Sequence, residues 1–74
     1  MESKITNTKN LGEWVRVTRE KAGLSQIDTA AICGVGVRFL SDLENGKETI
    51  EFTKVLQVLK GLGLELMIKP KTWG

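Results

Sequence analysis

The side chains able to do chemistry crowd one stretch of this 74-residue chain, Gly34-Val35-Gly36-Val37-Arg38-Phe39-Leu40-Ser41-Asp42-Leu43-Glu44-Asn45-Gly46. Behind it stands Cys33, the one cysteine. The Gly-Val-Gly suggests a phosphate cradle, but a dinucleotide fingerprint needs a third glycine where Phe39 stands and a strand before it. A Walker loop needs a Gly-Lys-Ser or Gly-Lys-Thr ending, and the chain has none. No histidine is present, which removes imidazole catalysis and the usual zinc sites, and a lone cysteine excludes an intrachain disulfide. No nucleophile–base pair, metal set or paired acids can be assembled. Neither an enzyme nor a cofactor is expected.

A chain of this length supports one domain with a single small core, marginally stable alone. The N-terminus is polar, and no apolar run reaches the length of a signal or membrane-spanning segment. The expected setting is soluble and cytoplasmic, where one unpaired thiol is ordinary. Cys33 reads as a small buried apolar residue. A formal charge of +2 says little about nucleic acid, so the distribution of charge must decide.

Residues 1–10 lack apolar periodicity and read as a flexible lead-in. From Leu11 the spacing is helical through Val15 and Thr18, with Trp14 beside the stripe and Gly23 as the stop. Ser25-Gln26-Ile27-Asp28 is a start signal, a serine cap with an acid three residues on, and it opens a helix that closes at Gly34. A third helix covers Gly36 to Glu44 and stops at Asn45-Gly46. A fourth opens at Thr49, with Phe52, Val55, Leu56 and Leu59 as its apolar face. The period then changes. Leu64, Leu66 and Ile68 share one face of a strand pattern that Pro70 ends, and a single strand in a helical chain calls for a partner strand from a second copy.

Helix, glycine turn, helix is therefore the reading of the opening stretch. With Leu24-Ser25-Gln26, Ala30, Gly34-Val35, Leu40 and Leu43-Glu44-Asn45-Gly46-Lys47 at this spacing, the chain resembles the Cro and phage-repressor-like helix-turn-helix family from Leu11 to Leu62. The resemblance implies a mostly α domain of four to five helices over 11–62, a dimerisation strand over 63–70 and a tail over 71–74. Ala30 stands where the two helices cross, and Gly34 permits a turn with positive φ.

The same resemblance assigns roles. Gly36, Val37, Arg38, Ser41 and Asp42 would form the reading face of helix 3 in the major groove. Arg38 would bond guanine O6 and N7, and Val37 would meet a thymine methyl. Ser25, Gln26, Asn45, Lys47 and Thr49 would hold the DNA backbone. Arg19 and Glu44 would form an ion pair tying helix 1 to the end of helix 3. Lys4, Lys9, Lys21, Lys54 and Lys60 read as solvated charges. Leu64, Leu66, Met67 and Ile68 would form the dimer strand. Trp73, read from its own chemistry, is either an anchor in a partner's pocket or part of a floppy tail.

Within the family the likeness leans to the HipB-type antitoxins that partner a HipA-like serine/threonine kinase toxin. It is carried by Phe52-Thr53-Lys54-Val55-Leu56-Gln57-Val58-Leu59 and the following Leu-Gly-Leu-Glu-Leu. Three functions stay open: a homodimeric repressor–antitoxin bound to double-stranded palindromic DNA, a stand-alone or phage-type repressor, and a protein-interaction module of the same fold that has lost DNA binding.

Overall fold

Four helices account for the regular structure of residues 3–72, the part of the chain that the computed structural model describes. They are α1 (Thr8–Lys21), α2 (Gln26–Cys33), α3 (Val37–Glu44) and α4 (Phe52–Gly61). The Asn7 side chain accepts from the Asn10 N–H at 2.8 Å, so α1 starts ahead of the Leu11 at which its apolar stripe begins. Ser25 Oγ accepts from the Asp28 N–H at 3.0 Å and starts α2. That helix ends at Gly34 in the left-handed conformation, φ +71°, and the Val35 N–H returns to the Ala30 carbonyl at 3.0 Å. The closure satisfies carbonyls that the helix end would otherwise leave bare, and a side chain at Gly34 would resist it. The other three helices end on the same return bond, from Leu24 to Arg19, Lys47 to Asp42 and Leu64 to Leu59.

The core draws on every helix. Val15 of α1, Ala30 and Cys33 of α2, Leu40 and Leu43 of α3, and Val55, Val58 and Leu59 of α4 are buried, with Leu11, Val35, Phe39, Ile50, Leu62 and Leu64 packed around them. α3 lies between α1 and α2, and α2 also packs on α4. Gly12 allows the closest approach. A Cβ there would run into the Leu43 carbonyl and lie 2.8 Å from that of Glu44.

Three sequence expectations change. Val55 and Leu59 are buried as expected, but Phe52 and Leu56 are exposed and Val58 takes their place in the core. Its start is also later, with Glu51 rather than Thr49 at the cap. No strand forms among the described residues. Residues 64–72 carry no regular structure, and Met67 and Ile68 are open to solvent. A ladder needs a second strand, and one chain offers none. Among the described residues, no helix is long and apolar enough to cross a membrane.

Candidate nucleic-acid interface

α3 is amphipathic in the sense that matters for a groove. Leu40, Leu43 and Glu44 are buried, while Val37, Arg38 and Asn45 are exposed and Ser41 half-buried. Val37, Ser41 and Asn45 succeed one another at four-residue spacing, so with Arg38 they form one outward face. Arg38 makes no hydrogen bond or ion pair among the described residues. Its five N–H donors are thus uncommitted. Asn45 Nδ2 lies 3.5 Å from Ser41 Oγ, a long and adaptable bond.

Asp42 is half-buried beside this face, with Lys47 Nζ 3.6 Å from its carboxylate. Lys47 therefore offsets a charge that would repel phosphate. Thr49 is exposed in the loop beyond. Gly36 is the N-cap of α3, with φ −75° and no side-chain cap bond, and a Cβ there would meet open space.

Beneath the face runs a polar network. Arg19 Nε donates to Glu44 Oε2 at 2.6 Å and Arg19 Nη2 to Glu44 Oε1 at 3.0 Å, a two-pronged pair, while Nη1 donates to the Leu24 carbonyl at 2.8 Å. The two side chains are 11% and 3% exposed. The hydrogen bond to Glu44 raises the already high Arg19 pKa, against the opposing effect of burial. Gln26 joins from the first turn of α2, its Nε2 donating to Glu44 Oε1 at 3.0 Å. Ser25, one residue earlier, is exposed, its hydroxyl occupied in capping α2.

The structure thus brings Ser25 and Gln26 at the start of α2 to the end of α3 through Glu44. It leaves Leu66, Met67 and Ile68 apart, exposed beyond α4, whereas Leu64 packs against the core. Trp73 lies outside the described residues. Burial pushes the Cys33 thiol pKa up, and its Sγ sits 3.7 Å from the Val58 carbonyl. It is a packing residue in a dry setting, the opposite of an activated thiolate.

Three supports escaped the sequence reading. Gly12 had a signal, since a glycine inside a helix needs a packing reason. Thr8 Oγ1 donates to the Gly46 carbonyl at 2.7 Å, pinning the start of α1 to the loop after α3. Lys54 Nζ stands 5.9 Å from the Phe39 ring centroid, so this lysine is more than a solvated charge.

This geometry agrees with the comparisons. Residues 15–68 match the helix-turn-helix family. An uncharacterized HTH-type transcriptional regulator, y4mF of Sinorhizobium fredii (strain NBRC 101917 / NGR234), is 43% identical over 68 residues, 92% of this chain and 90% of that protein. Among solved structures, the HipA-HipB-O2-O3 complex contains a chain that superposes with a TM-score of 0.86 at 21% identity, over 96% of this chain and 100% of that one. The HipB-O4 20mer complex gives 0.85 at 21% identity, with the same coverage. At that identity the likeness is one of fold.

Proposed function

The chain belongs to the helix-turn-helix family, and from that premise we propose that it is a sequence-specific DNA-binding transcriptional repressor rather than an enzyme. One observation carries the reading. α3 is held by Leu40, Leu43 and Glu44 while Arg38, Val37 and Ser41 face outward with the guanidinium uncommitted. A short helix so mounted enters the major groove, where a guanidinium pairs with guanine O6 and N7. Ser25, Gln26, Asn45, Lys47 and Thr49 flank it as backbone contacts that fix register.

The regulator acts as a homodimer on a palindromic operator, its two copies of α3 roughly 34 Å apart, one turn of duplex. The exposed Leu66, Met67 and Ile68 supply apolar surface for a second copy. The likeness in fold to HipB supports a further role, that of antitoxin to a HipA-like kinase toxin. A kinase-like reading frame abutting this one, whose product co-purifies with the chain, is the finding expected of an antitoxin. A lone reading frame would leave a stand-alone repressor.

The decisive experiment is fluorescence anisotropy on a duplex that the protein selects from a random pool. Arg38→Ala costs roughly 1–3 kcal/mol there and relaxes the preference at one base step. Equal losses on selected and random DNA would remove Arg38 from the reading face.

A further inference from the structure

The Arg19–Glu44 pair has a third member, and the geometry points to a role for it beyond stability. We infer that Glu44 is a positioning residue for DNA binding, acting through Gln26 by holding its amide in one orientation at the start of α2. The inference rests on the DNA-binding reading above.

A carboxylate only accepts hydrogen bonds, so the Gln26 nitrogen must face Glu44 and the carbonyl oxygen must face away. One N–H is spent on Glu44 Oε1. The second N–H and the carbonyl are left for the duplex. Glu44 cannot follow Gln26 outward, because its side chain is 3% exposed and gripped by two Arg19 donors. Arg19 also holds the Leu24 carbonyl, immediately before the cap of α2. The backbone carrying Gln26 and the amide itself are thus set by one guanidinium. A free glutamine side chain loses rotamer freedom when it binds, whereas here that loss is met on folding.

Removing Glu44 alone would strand a buried guanidinium and endanger the fold. Replacing both partners by apolar residues of similar volume is far better tolerated. The test is therefore a double-mutant cycle between Arg19→Met/Glu44→Leu and Gln26→Ala, read by anisotropy on the duplex selected by wild type, with circular dichroism confirming folding. With Gln26 present, the paired replacement weakens binding about tenfold. In the Gln26→Ala background the same replacement changes binding by less than about twofold. Equal losses in both backgrounds would reduce Glu44 to a structural role and overturn the inference.

A measurement on the free wild-type protein needs no variant. The Gln26 side-chain amide, seen by ¹⁵N relaxation, is expected to be as ordered as the helix backbone. An order parameter below about 0.6, the flexible range, would overturn the inference even if the variant failed to fold. Should wild type select no duplex, the DNA reading falls, and the relaxation result still judges the positioning.

Discussion

Thr29 is completely buried in α2, and its hydroxyl has no hydrogen-bond partner among the described residues. An unpaired buried hydroxyl costs about 1–3 kcal/mol in lost hydration, so this side chain opposes the fold that encloses it. Thr29→Val keeps the shape and removes the polar atom. Thermal unfolding should show equal or higher stability, by up to about 2 kcal/mol. A loss of stability would mean that the hydroxyl has found a partner. Arg19 and Glu44 show the opposite case, two buried charges whose hydrogen bonds are met by each other, by Gln26 and by the Leu24 carbonyl. The resemblance pointed to the pair. Gln26's place in it was not readable, because a polar residue in a first turn looks the same whether it faces solvent or reaches back to a neighbouring helix.

Among the elements, α3 begins without a side-chain cap, as α4 does. Its cap, Gly36, has ordinary dihedrals, open space around it and no capping bond. Nothing in the fold requires glycine there, which fits a backbone kept bare for close approach to DNA. Gly36→Ser supplies a capping oxygen and restrains the unfolded chain, and is expected to add about 0.5–1 kcal/mol to stability in urea titrations. The same change should weaken duplex binding, since a side chain then stands in the proposed contact. A variant that is both stabler and binds as well would sever Gly36 from recognition. The bounds of α2 and its turn were legible in the sequence, because Ser25 and Gly34 act through short-range bonds that need no tertiary context. α4 was harder. Apolar residues at 52, 55, 56, 58 and 59 support two overlapping stripes, and only packing against α2 selects Val55, Val58 and Leu59. The segment after α4 alternates like a strand, yet alternation cannot create a neighbour to pair with.

For the molecule as a whole, the α1–α3 contact is the seam that orients the proposed reading helix. Gly12 is its narrowest point, because any Cβ there collides with the backbone at the end of α3. Gly12→Ala must push α1 outward or distort α3, and overpacking of this kind costs about 1–3 kcal/mol or more. In so small a domain that is a large share of the total. Chemical denaturation should find the variant much less stable, with duplex binding lost in proportion to the unfolded fraction. Native-like stability would mean that the seam yields more easily than its contacts indicate. The same seam is tied by Arg19, whose partners lie only 5 and 25 residues along the chain at Leu24 and Glu44. Bonds that close such short loops can form early, and helical domains dominated by local contacts fold within roughly microseconds to milliseconds. Ribosomes add only about 5–20 residues per second. The fold of each copy is therefore expected to close faster than a ribosome adds one residue, which leaves the concentration-dependent meeting of two copies as the slow step toward the proposed dimer.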